Sequence, residues 1–386
     1  MEAMKITGDW ISAKPTQAVC RMLEEAGYQA LFVGGCVRNA LLGAPVSDID
    51  IATDGQPETV VDLSNKAGFK PVPTGIEHGT ITVVSDGVAH EVTTFREDVE
   101  TFGRHATVAF STDVVQDARR RDFTMNALYA RSDGTVIDPL NGLPDLEARR
   151  IRFIEDPVQR IREDYLRILR FFRFHAWYGD PEGGLDPDGL AAIANHVDGL
   201  SELSRERVGA EMIKLLSAPD PAPSVATMRA SGVLLAVLPG ADERALAPLV
   251  HLESEVGALP DGMRRLAVLG GDGLQDRLRL SKAQSKCLTT LRSQVSAMCD
   301  PSELGYRYGE KDGQDILLLR AALLEQPWNP ADLDGLSQGA KATFPIKAAD
   351  LMPEYEGPQL GKKLNALEQR WIDSGFTLTR KDLLAE

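Results

Sequence analysis

In "SDIDIAT" two aspartates, Asp48 and Asp50, stand one residue apart, shortly after the glycine pair of "LFVGGCVRNALLG". In an extended segment, residues i and i+2 share a face and lie about 7 Å apart. Two carboxylates so placed repel each other unless a cation sits between them. Their hard oxygens suit Mg2+ held jointly with substrate phosphates, an arrangement for phosphoryl transfer. An isolated Asp-x-Asp is more often a solvated pair on an edge strand. Here Gly34-Gly35 leads into a helical pattern whose free N–H groups suit a triphosphate, with Arg38 one turn in. Glu91 in "AHEVTTF", on a strand with apolar neighbours, is the candidate third carboxylate.

A second cluster is basic. From Arg149 to Arg173 there are eight arginines against four acids, with Arg119, Arg120 and Arg121 just upstream. The whole chain carries a formal charge of -15, which argues against non-specific binding of polyanions, because neutralising phosphates needs clustered Lys and Arg. Any nucleic-acid site must therefore be this local patch.

Positioning these groups requires a mixed head. Ala30 to Val33 is an apolar run, Cys36 to Leu42 has helical spacing, Ile49 to Ala52 alternates, and Pro57 to Ala67 reads as a helix with Pro near its start. Thr80 to Val84 and His90 to Phe95 are strand candidates joined by the turn Ser85-Asp86-Gly87. Arg96 to Arg119, polar with Gly103 and no clear period, reads as a long loop, and strand signals fade from Arg120 on. The later sequence has helical spacing, broken by Pro/Gly-rich stretches at 179–189, 218–224 and 326–332.

The four cysteines (Cys20, Cys36, Cys287, Cys299) have no CxxC spacing, so neither a disulfide framework nor a zinc site is indicated. With no secretory pattern at the N-terminus and no long uncharged apolar run, the expectation is a cytoplasmic protein without membrane contact or obligate protein partner.

These landmarks are ordered as in a known family. The run "VGGCVRNALLG…SDIDIAT", "HGTITVV…HEVTTFRED", "RRRDFTMNALYA", "DPLNGLPDLEARRIRFIEDP", "EDYLRILRFFRFHA" and "LSRERVGAEMIKLL" resembles the class II tRNA nucleotidyltransferases, or CCA-adding enzymes, and the closely similar bacterial poly(A) polymerases. The resemblance covers roughly Leu31 to Leu216. It implies an α+β chain: a nucleotidyltransferase α/β head (1–140), then a helical neck with the nucleotide-selecting helix (141–218), a helical body (219–325) and a helical tail that binds tRNA (326–386).

By the same resemblance, Asp48 and Asp50 bind the catalytic metal ions. The turn Gly34-Gly35 and Arg38 touch the triphosphate, Arg121, Asp122 and Asn126 address triphosphate and ribose, and Arg170 and Arg173 line the nucleotide site. The Arg96 to Arg119 stretch corresponds to the loop needed for adding the terminal A. The implied partners are the tRNA acceptor end, CTP and ATP. Three positions depart from the pattern: Asn39 where Asp is usual, Tyr165 in place of a common Pro, and "IEDP" for "GDP".

In "EDYLRILRFFR", Asp164, Arg167, Arg170 and Arg173 recur every third residue, while Ile161, Ile168, Leu169 and Phe172 face elsewhere. Cytosine and adenine share an amino donor beside a ring-nitrogen acceptor, whereas uracil and guanine show a keto acceptor beside an N–H. Asp accepts only and Arg donates only. The pair Asp164 and Arg167 thus favours C and A by about 1–3 kcal/mol per bidentate contact, and the resemblance gives it that role. An enzyme adding C and A to tRNA is expected, with poly(A) polymerase as the alternative. No histidine precedes an Asp, so a metal-dependent phosphohydrolase activity is not expected.

Overall fold

The computed structural model describes residues 4–102 and 105–385. The chain forms two compact units, one of residues 1–215 with 223–237 and one of residues 216–222 with 238–386. The first holds a mixed sheet and helices, and the second is helical, so the chain is α+β.

Nine strands are present among the described residues: β1 (Leu31–Val33), β2 (Asp50–Thr53), β3 (Lys70–Gly75), β4 (Thr80–Ser85), β5 (Val88–Thr94), β6 (Arg96–Phe102), β7 (His105–Phe110), β8 (Tyr129–Arg131) and β9 (Val136–Ile137). Seven make one sheet in the order β3-β4-β5-β2-β1-β8-β9, and β6 and β7 pair separately. β2 and β5 run parallel and the other neighbours in the large sheet antiparallel. β4 buries alternate residues, Ile81, Val83 and Ser85, as a half-covered strand should. The β4–β5 turn has Asp86 and Gly87 both at positive φ (47° and 80°), the handedness that a tight hairpin demands.

Two expectations are corrected here. The stretch from Arg96 to Arg119 is not a long loop: it holds the β6–β7 hairpin and the helix Val114–Arg119. The charged run Arg96 to Glu100 at the start of β6 conceals the hairpin in sequence. Gly103 itself lies outside the described residues. Strands also continue past Arg120, as β8 and β9, which are too short to show a period.

Four helices carry or brace the site: α1 (Gly35–Leu41), α2 (Pro157–Glu163), α3 (Leu166–Tyr178) and α4 (Arg205–Leu216). The core of the head gathers Leu31, Val33, Ala52, Phe95, Ala118, Ala127, Tyr129 and Ile154. An aromatic cluster, Phe123, Phe153, Phe171 and Phe174, fastens α3 to the segments that carry Phe123 and Phe153, with Phe153 and Phe171 stacked at 5.4 Å.

The second unit rests on two motifs. Arg264 and Arg265, 3% and 1% exposed, share Glu253, and Arg264 also meets Asp315. Farther along, Ile346, Leu351, Leu367, Trp371, Ile372 and Leu383 form a small core. Among the described residues no helix is long and apolar enough to cross a membrane.

Candidate functional site

The first unit contains a cleft of about 630 Å³ lined by Gly34, Gly35, Arg38, Asp48, Asp50, Arg121, Asp122, Asn126, Asp164, Arg167, Arg170 and Arg173, along with others. Every site residue expected from sequence except Glu91 is therefore in one place. Nine Lys and Arg side chains face five carboxylates in this lining. An acidic protein thus presents a cationic cleft, which suits an anionic ligand.

Gly34 follows β1 with φ 68° and ψ -117°, a conformation that L side chains rarely adopt. A Cβ there would sit 3.3 Å from Arg121 Nη1. The turn therefore needs glycine both for its backbone and for the arginine packed over it.

Asp50 opens β2, and Asp48 precedes it outside the strand. Asp50 lies directly opposite Glu91 on the parallel strand β5. Burial pushes the Asp50 carboxyl up to about 6, Glu91 and Asp48 add to the rise, and Arg121 opposes it. Asp48 is exposed and accepts from Ser47 Oγ at 3.0 Å. Glu91 is exposed and does not line the cleft. Among the described residues no three acidic, His or Cys side chains converge on one point.

Past the turn, buried polar groups are joined in sequence. Arg38 Nη1 donates to Asn126 Oδ1, Asn126 Nδ2 donates to Asp122 Oδ1 (2.9 Å), and Arg170 Nε donates to Asp122 Oδ2 (2.7 Å). Burial alone would raise the Asp122 carboxyl; Arg170, Asn126 and the Phe123 amide together bring it below the usual range. Asp117 behaves alike: burial raises it, but Arg121 and the Tyr129 hydroxyl, which donates at 2.7 Å, bring it down. Arg121 is held by Tyr129 and Asp117 against the cost of burial.

The selecting segment differs from expectation. Asp164 is not on the helix with the three arginines: its φ of -155° breaks the chain between α2 and α3, and its Oδ1 caps α3 by accepting from the Leu166 amide at 3.0 Å. Asp preferring a cap over a helix interior is the physical reason. Nor are Asp164 and Arg167 bonded to each other. Arg167 Nη1 donates to Glu163 (2.6 Å) and to the Arg160 carbonyl, and Nη2 to the Arg120 carbonyl, while Asp164 Oδ2 accepts from Arg207 (2.6 Å). Arg173 donates to Glu211 at 2.5 Å.

The family described as "Poly A polymerase head domain" matches residues 30–152, and that described as "Probable RNA and SrmB- binding site of polymerase A" matches 184–244. A CCA-adding enzyme of Lacticaseibacillus paracasei is 33% identical, over 95% of this chain and 94% of that protein. The chain belongs to the CCA-adding enzyme family. The mitochondrial CCA tRNA nucleotidyltransferase 1 of Mus musculus is 31% identical, over 96% of this chain and 88% of its own. The crystal structure of the Bacillus stearothermophilus CCA-adding enzyme in complex with CTP superposes with a TM-score of 0.76 at 28% identity, covering 94% of this chain and 93% of that one. Nucleotidyl transfer in the CCA-adding enzymes depends on a divalent metal ion.

Within this CCA-adding enzyme, sequence reasoning passed over several cleft residues. Asp117 and Tyr129 read as ordinary head residues, and only the fold puts them beside Arg121. Arg207, in the run "LSRERVGAEMIKLL", lines the cleft and holds Asp164. Glu163 was passed over in favour of its neighbour Asp164, although its i,i+4 spacing to Arg167 was readable in the sequence.

Proposed function

We propose that this cleft transfers CMP and AMP from CTP and ATP to the 3' end of tRNA, releasing pyrophosphate, and that Asp48 and Asp50 hold Mg2+ there. The observation that carries the reading is the placement of two crowded carboxylates across one cleft from Arg38, Arg121, Arg167, Arg170 and Arg173. The donor set fits the ion: hard carboxylate oxygens, and an Asp50 whose charge burial and neighbouring acids disfavour until a cation arrives. When bound, the metal lowers the pKa of the attacking hydroxyl and neutralises charge on the leaving oxygens. Glu91, outside the lining, acts by adding negative charge beside Asp50.

The remaining work falls to the protein. The turn Gly34-Gly35 lets the triphosphate approach the backbone, and Arg38 and Arg121 receive its oxygens. Asp122 and Asn126 fix Arg38 and Arg170 and address the ribose. Asp164 accepts from the exocyclic amino group of C or A. Arg167, whose Nε and one Nη2 hydrogen have no partner among the described residues, donates to the ring nitrogen. Arg173 stands beside them over the Phe174 ring. The tail, 326–386, meets tRNA phosphates through Lys362, Lys363, Arg370, Arg380 and Lys381, and a reducing cytoplasm suits the four free cysteines.

The test offers transcripts lacking all of CCA, lacking CA or lacking only A, with each NTP singly, followed by sequencing of the products. Addition of C, C and A in order is expected. Long A tracts on any RNA would make the enzyme a poly(A) polymerase instead.

A further inference from the structure

Arg38 is 5% exposed, faces the cleft and forms no ion pair among the described residues. A buried cation ordinarily has a carboxylate partner. Here all the acceptors are neutral. Nε and Nη2 donate to Asn39 Oδ1 at 3.2 and 2.9 Å, Nη1 to Asn126 Oδ1, and Nη2 to the Tyr178 hydroxyl at 2.9 Å. A guanidinium has five N–H groups, so these four bonds leave one, on Nη1. The guanidinium carbon also lies 3.9 Å from the centroid of the Tyr178 ring and 5.1 Å from that of Phe174. Aromatic faces stabilise a cation without cancelling its charge.

Tyr178 is the last residue of α3, the helix that carries Arg167, Arg170 and Arg173. Its hydroxyl and ring together grip a side chain of the glycine turn on α1. Asn39, standing where the family usually has Asp, supplies no counter-charge, so the phenol and the ring take over part of the anchoring. We infer that Tyr178 is a positioning residue for nucleotide binding, holding the Arg38 guanidinium by its ring face and hydroxyl so that its charge and a free N–H meet the triphosphate. The inference rests on the reading of Arg38 as a triphosphate ligand. It assigns Tyr178 no contact with the substrate.

A residue that merely packs α3 would change stability when replaced, but not act through Arg38. The test therefore measures, on the full-length chain with Mg2+, the Kd for inorganic pyrophosphate by calorimetry in the wild type, Tyr178→Phe, Tyr178→Leu, Arg38→Ala and the double variant Arg38→Ala/Tyr178→Leu. Tyr178→Leu should weaken pyrophosphate binding about tenfold and Tyr178→Phe, which keeps the ring, about threefold. Neither effect should add to Arg38→Ala. On a tRNA lacking only the terminal A, both variants should raise the KM for ATP and leave kcat unchanged.

Wild-type pyrophosphate affinity in a normally melting Tyr178→Leu would overturn the inference, as would an equal loss in the Arg38→Ala background. Should Tyr178→Leu fold poorly, Tyr178→Phe decides alone. A wild type that binds pyrophosphate but adds nothing to tRNA would refute the proposed function and leave this comparison standing.

Discussion

Arg170 donates from Nε to Asp122 Oδ2 at 2.7 Å, tying the helix of the arginines to the segment between the helix Val114–Arg119 and β8. Through its other oxygen Asp122 also accepts from Asn126, which in turn accepts from Arg38. The Asp122 carboxylate, 6% exposed, is thus bonded directly to Arg170 and reaches Arg38 through Asn126. Asp122→Asn would set an amide donor against the Arg170 donor and leave its charge without a partner. Breaking a buried pair costs about 3 kcal/mol, and the partial exposure of Arg170, 31% of its side chain, places the loss toward the lower end. Urea denaturation should show a lower midpoint; a midpoint equal to the wild type would mean that this bond contributes nothing to the fold.

Asp50 presents the reverse relation between stability and function. It faces Glu91 across the parallel pair and has Asp48 two residues away, so its charge is a burden to the folded protein without metal. Asp50→Asn should abolish nucleotide incorporation and at the same time stabilise the chain in magnesium-free buffer by about 1–2 kcal/mol. Thermal melts with EDTA and with Mg2+ check this. The wild type should gain stability on adding the ion and the variant should not. An active Asp50→Asn enzyme would remove Asp50 from the chemistry.

Asp164 offers two acceptor oxygens, one on the Leu166 amide and one on Arg207. Asp164→Asn replaces one of them with a donor, the group that a keto base needs opposite it. Selectivity for C over U should fall by about tenfold to a hundredfold, corresponding to about 1–3 kcal/mol. Single-nucleotide incorporation assays with CTP and UTP read this ratio directly. Because the cap of α3 survives an Asn substitution, the melting temperature should change little, and unchanged selectivity would free Asp164 from base recognition.

What could be read from sequence was local. The Gly34 turn and the Ser85-Asp86-Gly87 hairpin are determined by a few adjacent residues, and the fold has them where sequence put them; Asp48, expected on the strand beside Asp50, precedes it instead. The every-third-residue row at Asp164, Arg167, Arg170 and Arg173 was readable as spacing but not as geometry. Its first member caps the helix rather than joining it. The partners lay beyond local reach: Arg207 for Asp164 is 43 residues away and Tyr178 for Arg38 is 140 away. The β6–β7 hairpin was hidden for another reason: β6 opens on the charged run Arg96 to Glu100, and the ribbon stands apart from the large sheet.

Acid should weaken the first unit through its histidines. His90 is 0% exposed, with Nδ1 3.3 Å from the Val83 carbonyl and Nε2 3.0 Å from the Thr16 hydroxyl. The carbonyl fixes Nδ1 as the donor, so Nε2 accepts in a neutral ring. Burial lowers the His90 pKa from its ordinary value of 6.5 and does the same to His175, whose Nδ1 lies 2.8 Å from Ser224 Oγ. Both folded-state values are depressed, so the unfolded chain takes up protons first. Their stabilising contribution is complete above the unfolded value of about 6.5 and is lost as pH falls below it, with a slope approaching about 1.4 kcal/mol per pH unit per histidine. Asp50, pushed up to about 6, works in the opposite sense, so the cleanest measurement uses Asp50→Asn as the background. In that background stability from urea titrations should fall between pH 7 and pH 5, over about two pH units. His90→Gln, which can donate to Val83 and accept from Thr16 without titrating, should make the slope shallower. A slope untouched by His90→Gln would show that this ring is not what acid attacks.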